Sequence, residues 1–168
     1  RNPESLKTLI KLLRHPTLRI FDANLRPPFY DFEVIETLLG FADILKINED
    51  ELEIVSDYFG VPSDVESCCK LLTTHFPIKM VCVTLGSKGA MIYQNGEIIK
   101  HPGYKVKVED TVGSGDAFLA GFVKTYLQGK SPKEILDFAC ALGAFVATKK
   151  GGTPRYEESE VWRVVGDQ

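Results

Sequence analysis

Short apolar runs that end in polar residues alternate with amphipathic helix patterns along the first half of this chain. The apolar runs have the length and composition of buried strands, and they are residues 18–22, 42–47 and 79–84. Apolar residues recur at helical spacing before and between them, over residues 4–14, 32–41, 48–60 and 64–75. This alternation predicts right-handed crossovers into a largely parallel sheet covered by helices on both faces, which is an α/β fold.

The second half of the chain adds a hairpin and then helices. Asn95-Gly96 lies between residues 90–93 and residues 97–100, and this dipeptide between two apolar runs is a strong signal for an antiparallel β-hairpin at the edge of the sheet. Residues 104–108 alternate apolar and polar side chains, which predicts a half-exposed strand. Helix patterns follow, ended by Gly129 and capped by Ser131-Pro132, at residues 115–128, 133–149 and 158–165. No linker or repeat divides the chain, so we expect one compact unit or one piece of such a unit.

Composition excludes several classes of protein. The 168 residues are 44% hydrophobic and carry 20 basic against 23 acidic side chains, for a net charge of −3. Without a basic block the chain lacks the electrostatic footprint of a nucleic-acid-binding protein. No apolar run has the length of a bilayer span and no signal-peptide pattern is present, so we expect a cytoplasmic location without membrane contact. The cysteines and histidines lack metal-ligand spacing, and we expect the cysteines to be reduced packing residues.

A turn of small and polar residues leads directly into a helix at residues 110–122. Gly113 and Gly115 place no Cβ between the backbone and a ligand, and the first N–H groups of a helix lack intrahelical partners. The positive end of the helix dipole lies there as well, so this segment favours an anion such as phosphate. Asp116 lies in the same first helical turn. On local chemistry alone it either complements the helix dipole or takes part in a reaction.

Three familiar site types do not match this segment. Gly129-Lys130-Ser131 lacks the earlier glycine of a Walker phosphate-binding loop. Phe118 occupies the third glycine position of the Rossmann pattern. Ser114 lies in a GSG triplet instead of the GxSxG elbow of serine hydrolases. Phosphate chemistry of another kind is the remaining interpretation.

The run DTVGSGDAF, residues 110–118, resembles the C-terminal signature of the PfkB, or ribokinase-like, carbohydrate kinases. Three upstream segments resemble further motifs of that family in the required order, as in its fructokinase-like members: Asp22-x-Asn24-x-Arg26, Asn48-x-x-Glu51 and residues 84–89 (TLGSKG). The resemblance implies a three-layer αβα ribokinase-like fold with a mostly parallel sheet. It also implies that residues 1–168 are the C-terminal part of one kinase domain, without its N-terminal half and β-sheet lid.

The resemblance assigns roles around the glycine segment. Asp116 matches the catalytic base that takes the proton from a sugar hydroxyl as that hydroxyl attacks the γ-phosphate of ATP. The backbone N–H groups of Gly113, Ser114 and Gly115 match the anion hole for the transferred phosphoryl group. Glu51, together with Asn48, matches the motif that orients Mg²⁺ and phosphate through water. On local chemistry alone, both residues are also ordinary helix-capping residues.

Further positions carry roles that the resemblance implies less directly. Thr84 and Gly86 match nucleotide contacts. Arg26 is either a phosphate or substrate contact or one partner of a salt bridge at a strand end. The small residues of the following helix line either a close helix contact or the adenine pocket; they are Ala139, Cys140 and Gly143.

Potassium binding is a further implication of the family resemblance. Asp110, Val112 and Gly152 match the positions that hold a monovalent cation beside the anion hole. Arg155 departs from the family pattern, because a cationic side chain stands where a small polar residue is expected. A second cation near that position argues against potassium activation.

The sequence therefore predicts a fructokinase-like enzyme that transfers phosphate from ATP to a sugar hydroxyl, with Mg²⁺ as cofactor. Two other functions stay open: a kinase of the same fold for a nucleoside or another non-sugar substrate, and a nucleotide-binding module without catalysis. Because the family's N-terminal half carries most sugar contacts, we expect the 168 residues alone to be inactive. The resemblance also implies a homodimer for the full-length protein.

Overall fold

The computed structural model describes residues 4, 5, 8, 11, 17–26, 28–61 and 64–166. Of the amphipathic helix expected at residues 4–14, only four positions are described, and these four are helical. The rest of that expectation lies outside the described residues.

The helices and strands of the described residues follow the predicted order closely. We number the helices α1 to α6: Phe32–Leu39, Glu49–Phe59, Val65–His75, Ser114–Leu127, Pro132–Ala147 and Glu158–Gly166. The strands are β1 to β5: Ile20–Asp22, Ile44–Asn48, Met80–Thr84, Ala90–Gln94 and Glu97–His101. A 3₁₀ turn at Gly86–Lys88 follows β3.

The five strands form one sheet in the order β1-β2-β3-β4-β5. β1 and β2 pair in parallel, with Ile20 opposite Ile44 and Asp22 opposite Lys46. Two residues with positive φ, Asn95 at 54° and Gly96 at 81°, connect β4 to β5. This is the backbone that a two-residue hairpin turn requires. The α/β class and the edge hairpin are confirmed.

One expected strand is absent. Residues 104–108 form no strand, although the side chains of residues 104–107 alternate between half-buried and exposed. The segment is anchored to helix α5 instead, because the Tyr104 hydroxyl bonds Asp137, and the N–H groups of Glu109 and Asp110 both donate to the Ala147 carbonyl. The strand prediction was wrong because packing against a helix produces the same alternation as a sheet edge.

The described chain contains two compact units. The first comprises Arg1–Val83 and Tyr93–Glu97, as far as these residues are described. Its helices begin at side-chain caps: Asp31 accepts a backbone bond at the start of α1, Asn48 at the start of α2 and Asp64 at the start of α3. Its core consists of apolar side chains from β2, β3 and these three helices, among them Leu39, Ile44, Leu45, Ile47, Leu52, Cys69, Leu72, Val81 and Val83.

An ionic cluster ties the starts of three strands within this first unit. The carboxylate of Asp43, just before β2, accepts hydrogen bonds from the backbone N–H and the guanidinium of Arg19, just before β1. Lys79, just before β3, donates to the same carboxylate at 3.2 Å. The Arg19 hydrogen bonds lower the pKa of Asp43 to about 2. The cluster therefore fixes the amino-terminal ends of the strands.

The second unit comprises Thr84–Ile92 and Ile98–Gln168, and it is described through residue 166. Ser131 and Glu134 form a reciprocal capping box at the start of α5, with Pro132 in its first turn, as predicted. The core of this unit joins one face of α5 to α6, through Phe138, Ala141, Leu142, Phe145, Val146, Val161 and Val165.

The four cysteines are buried and free of disulfide bonds, which confirms their predicted packing role. Burial raises the pKa of the Cys69 and Cys140 thiols to about 12, so both stay protonated and unreactive. Among the helices in the described ranges, none combines the length and apolar character needed to cross a bilayer.

Candidate functional site

In the first unit, polar side chains gather where β1 and β2 end. Asp22 and Lys46 occupy paired positions of the two strands, and the Lys46 Nζ lies 2.8 Å from Asp22 Oδ1. Both side chains are largely buried, at 12% exposure for Lys46 and 23% for Asp22. Sequence reasoning did not select Lys46. The signal was present as a lysine inside an otherwise apolar strand, but its partner depends on strand register.

The loop after β1 holds the candidate substrate residue Arg26. Asn24 adopts a left-handed backbone with φ of 43°, which is uncommon outside glycine. Its side-chain Oδ1 accepts a hydrogen bond from Arg26 Nε at 3.3 Å, and both side chains are exposed. Arg26 therefore forms no strand-end salt bridge with a described residue; it is held by an amide and faces solvent.

Glu51 joins this loop to the start of α2. Its Oε1 accepts the backbone N–H of Leu25 at 2.8 Å, and its Oε2 accepts the backbone N–H of Asn48 at 3.0 Å. The Asn48 side chain accepts the Glu51 N–H at 2.8 Å, which completes a capping box. Glu51 is only 6% exposed. Asn48 and Glu51 therefore cap a helix, as local chemistry predicts. They do so at the carboxyl ends of the strands, where the family resemblance implies a role in orienting Mg²⁺ and phosphate.

This donor set limits how a magnesium ion could be held. Within the part of the chain that the structure describes, no three His, Cys, Asp or Glu side chains converge as metal ligands. Each Glu51 oxygen already accepts a backbone N–H, so the carboxylate fits contact with the ion through a water better than direct ligation. Mg²⁺ normally keeps several waters, and the residues present fit that mode.

In the second unit, the turn after β3 presents an open glycine. Gly86 has φ of 58°, and no atom lies within 4 Å of where its Cβ would be. The turn closes on itself, because the Leu85 N–H donates to the Gly89 carbonyl at 2.8 Å and the Gly89 N–H donates to the Gly86 carbonyl at 3.1 Å. Gly86 and the neighbouring Thr84 thus lie on a rigid turn with space beside it.

Gly113 is the N-cap of α4, with φ of 77° and no side-chain cap. A Cβ on Gly113 would lie 2.4 Å from the Cα of Gly152, so the backbones of the two segments touch at this point. The Ser114 N–H donates to the Thr111 carbonyl at 3.2 Å. The expected anion hole at Gly113, Ser114 and Gly115 thus has one of its three amides engaged in the turn.

Asp116 lies beside the amides that stay open. In the described residues, neither the N–H groups of Gly115 and Asp116 nor the Asp116 carboxylate has a hydrogen-bond partner, and Asp116 is exposed. No atom lies within 4 Å of a Cβ placed on Gly115. A carboxylate and unsatisfied helix N–H groups therefore share one open surface, where an anion and a hydroxyl could bind side by side.

The candidate cation residues come together behind this surface. Asp110 accepts the Val112 N–H at 3.0 Å through Oδ1 and the Gly151 N–H at 3.3 Å through Oδ2. The Val112 carbonyl oxygen lies 3.4 Å from where a Gly152 Cβ would be. Arg155 lines a surface depression of about 560 Å³ with Pro154, Tyr156, Glu157 and Glu160.

The small residues of α5 pack against α4. A Cβ on Gly121 of α4 would lie 3.1 Å from the Cα of Ala139, and Ala139 is fully buried. The Ser114 hydroxyl donates to the Gly143 carbonyl at 3.0 Å, and a Gly143 Cβ would lie 3.2 Å from the Ser114 carbonyl oxygen. Close helix packing accounts for Ala139 and Gly143 in the described residues. Cys140 is 7% exposed.

The sheet order, the parallel pair with polar strand ends and the glycine-capped helix define an α/β protein of the ribokinase-like class. The model of pfkB family carbohydrate kinases matches residues 1–158. The chain belongs to this family.

Particular relatives support the assignment. Fructokinase-2 of Solanum lycopersicum is 34% identical over 146 residues, which are 80% of this chain and 43% of the relative. The nucleoside kinase of Methanocaldococcus jannaschii, an archaeal member of the ribokinase family, gives a TM-score of 0.80 at 25% identity. The match covers 99% of this chain and 54% of the nucleoside kinase chain. Vibrio cholerae fructokinase, in its form with fructose, ADP and calcium ion bound, gives 0.80 at 25% identity, with 96% and 55% coverage. The chain spans about half the length of these relatives.

Proposed function

We propose that the full-length protein phosphorylates a sugar hydroxyl with ATP, as a fructokinase-like enzyme. In this proposal the 168 residues are the C-terminal part of a single ribokinase-like domain, and they are inactive alone. The family match and the similarity to a fructokinase support the sugar as substrate class.

The observation that carries the proposal is the surface formed by Asp116 and the start of α4. Phosphoryl transfer depends mainly on positioning and on stabilising negative charge. The N–H groups of Gly113 and Gly115 would hold the charge that builds on the transferred phosphoryl group. Asp116, in the same helical turn, would accept the proton of the attacking hydroxyl.

The remaining residues are assigned to the nucleotide and its ion. Thr84 and Gly86 are proposed to contact ATP, and the segment of α5 around Cys140 is proposed to line its adenine pocket. Glu51, with Asn48, would orient a hydrated Mg²⁺, which supplies charge neutralisation on the phosphates when it is bound. Arg26 is proposed to contact the substrate or its phosphate.

The proposal leaves potassium out. Asp110 already accepts two backbone N–H groups, and the cationic Arg155 lies three residues beyond Gly152. The cytoplasmic location and the homodimer of the full-length protein stay predictions.

The test is ADP release by the full-length protein with fructose, ribose, ketodeoxygluconate and adenosine as separate acceptors. We expect fructose to give the highest kcat/KM. The Asp116→Asn variant serves as the blank for each acceptor, since it removes the proposed base. Absence of transfer to all four acceptors in the unmodified protein would contradict the proposal.

A nucleoside kinase is the second candidate. The Methanocaldococcus jannaschii nucleoside kinase and the Vibrio cholerae fructokinase give the same TM-score, 0.80, and the same identity, 25%. Higher kcat/KM with adenosine than with fructose would establish this alternative. A nucleotide-binding module without catalysis is less compatible with the chain, because an exposed carboxylate beside open amides repels a bound anion and would weaken a site that only binds.

A further inference from the structure

Three polar side chains of the second unit, none of them assigned a role in the proposed function, meet at one point. Asp137, in the middle of α5, accepts the Tyr104 hydroxyl at Oδ1 over 2.5 Å. His101, the last residue of β5, places its Nε2 3.2 Å from the same oxygen. The His101 side chain is 15% exposed and that of Asp137 is 43% exposed. We call these three residues the Asp137 cluster.

The backbone around the cluster determines the His101 tautomer. The Gly103 N–H donates to His101 Nδ1 at 3.1 Å, so Nδ1 is the unprotonated nitrogen. His101 therefore carries its hydrogen on Nε2, the nitrogen that lies 3.2 Å from Asp137 Oδ1. Burial and the Asp137 hydrogen bond raise the pKa of Tyr104 above its usual value, which keeps its hydroxyl a donor. One hydrogen bond from Tyr104 and one close contact from His101 thus join the segment 101–104 to Asp137 on α5.

The same segment supports the glycine turn after β3. Gly103 has φ of 77°, and its Cβ would lie 2.9 Å from the Cα of Gly89. Gly89 has φ of 92°, and its Cβ would lie 2.0 Å from the His101 carbonyl oxygen. The two backbones are therefore in contact, with no side chain between them.

Gly89 closes the turn that carries the proposed nucleotide contacts. Its carbonyl accepts the Leu85 N–H and its own N–H donates to Gly86. A continuous series of contacts thus runs from α5 through Asp137, His101 and the Gly103–Gly89 contact to Gly86. Displacement of the segment 101–104 removes the surface on which this turn rests.

We propose that Asp137 is a positioning residue for nucleotide binding, which holds the turn at residues 84–89 through the segment 101–104. This inference rests on the proposed function, because that function assigns Thr84 and Gly86 to ATP. In this proposal the effect of Asp137 passes through the Tyr104 hydrogen bond, the His101 contact and the backbone contact between Gly103 and Gly89. Neither composition nor motif marks this residue.

The first experiment measures the contact series without any activity. Amide hydrogen exchange of the full-length protein is read at Leu85, Gly89 and Gly103. Asp137→Ala removes the carboxylate that Tyr104 and His101 contact, and we expect at least about tenfold faster exchange at these amides, since local opening becomes easier. Asp137→Asn keeps a carbonyl oxygen as acceptor and should restore most of the protection. Lys133→Ala, an exposed position on the same helix, is the matched control and should leave these amides unchanged.

The second experiment separates nucleotide binding from chemistry. For Asp137→Ala we expect the KM for ATP to rise about tenfold with kcat within about twofold, because uniform binding is lost and the reacting groups are untouched. The KM for the sugar should not change, and Asp137→Asn should lie close to the unmodified protein. Tyr104→Phe removes the hydroxyl hydrogen bond, keeps the ring and the His101 contact, and should give an intermediate KM for ATP.

The outcomes test the contact series and the role in nucleotide binding separately. Unchanged exchange at Leu85 and Gly89 in a folded Asp137→Ala protein overturns the contact series. Faster exchange with an unchanged KM for ATP overturns the role in nucleotide binding. An equal fall of kcat for every acceptor, with no change in KM, also contradicts it. If the unmodified protein transfers no phosphate, the proposed function fails together with the nucleotide role, whereas the exchange measurement still judges the contact series.

Discussion

Gly113 and Gly152 touch through their backbones, so that a Cβ on the first would lie 2.4 Å from the Cα of the second. Gly113 begins α4 and Gly152 follows α5, so the contact fixes the start of one helix against the loop after the next. Gly113 also has a left-handed backbone, with φ of 77°. Its neighbour Gly115 is helical and has open space where a Cβ would be. Gly113 is therefore required by its backbone conformation and its contact with Gly152, whereas Gly115 is required by neither.

This contrast gives a matched pair of substitutions. Gly113→Ala should lower the free energy of unfolding by more than about 2 kcal/mol, because it combines a strained φ with a backbone clash. Gly115→Ala should raise it by roughly 0.5–1 kcal/mol, since alanine is the better helix former. Denaturant titration measures both. Equal destabilisation by the two changes would contradict the structure around Gly152.

The same pair separates stability from activity. We expect Gly115→Ala to lower kcat by at least about tenfold in the full-length protein, because its methyl group lies in the space proposed for the transferred phosphoryl group. A variant that is more stable and less active supports a ligand beside Gly115. Full activity in stable Gly115→Ala would remove the anion hole from the proposal.

Asp116→Asn is the direct test of the proposed base. We expect kcat to fall by at least about 10²-fold, with the Kd for ATP changed by less than about threefold, because the residue acts on the acceptor hydroxyl. Glu66→Gln is the control, since Glu66 is an exposed acid in the first turn of α3. Stopped-flow transfer rates and calorimetric ATP binding measure the two quantities. Turnover close to that of the unmodified protein would refute the assignment.

The Asp43 cluster predicts acid sensitivity of the first unit. The pKa of Asp43 is about 2 in the folded protein against an ordinary value of 3.8. A lowered folded pKa gives stability that is present above pH 3.8 and is lost as the pH falls toward 2, about 2 kcal/mol in total. Asp43→Asn should therefore be less stable by about that amount at pH 7 and match the unmodified protein near pH 2.

Lys79→Met is the control for this cluster. Lys79 is 75% exposed, so its ion pair with Asp43 should contribute less than about 1 kcal/mol. Urea titrations between pH 2 and pH 7 provide the comparison. A pH-independent difference between Asp43→Asn and the unmodified protein would show that the carboxylate charge is not what matters.

Glu51→Gln tests whether Glu51, besides capping α2, holds the loop after β1 through its bond to Leu25. An amide nitrogen would face one of the two backbone N–H groups, so we expect a loss of about 1–3 kcal/mol in unfolding free energy. Asp31→Asn, an acid-to-amide change at the N-cap of α1, should stay within about 0.5 kcal/mol. Thermal unfolding measures both. A loss no larger than that of Asp31→Asn would mean that the bond to Leu25 does not hold the loop after β1.

The sequence predicted most of the architecture because its signals were local. The apolar runs, the Asn95-Gly96 turn and the Ser131-Pro132 cap each report on neighbouring residues, and the structure has each of them as expected. The strand expected at residues 104–108 failed for the opposite reason. Its partner was 33 residues away, where Asp137 takes the Tyr104 hydroxyl.

The candidate site divides in the same way. The motif around Gly113 and Asp116 could be read from spacing, because one helical turn contains it. The pairing of Lys46 with Asp22 requires strand register, and the bond from Leu25 to Glu51 requires the loop to fold back by 26 residues. The sequence also could not predict that the Ser114 N–H is engaged, because its hydrogen bond to the Thr111 carbonyl depends on the geometry of the turn.

The ionic cluster at Asp43 and the polar groups at Asn48 lie at opposite ends of one five-residue strand, β2. Charge fastens the strands at their starts, while the loops beyond their ends carry exposed groups such as Arg26. Random substitution across this region should therefore sort by end. Changes at the starts of the strands should reduce the yield of folded protein, and changes of exposed groups beyond their ends, such as Arg26, should alter catalysis in protein that still accumulates. The buried Glu51 is the exception, because it holds structure at the carboxyl ends as well. A screen that measures abundance and turnover separately would show that positions needed for folding and positions needed for catalysis lie only one five-residue strand apart.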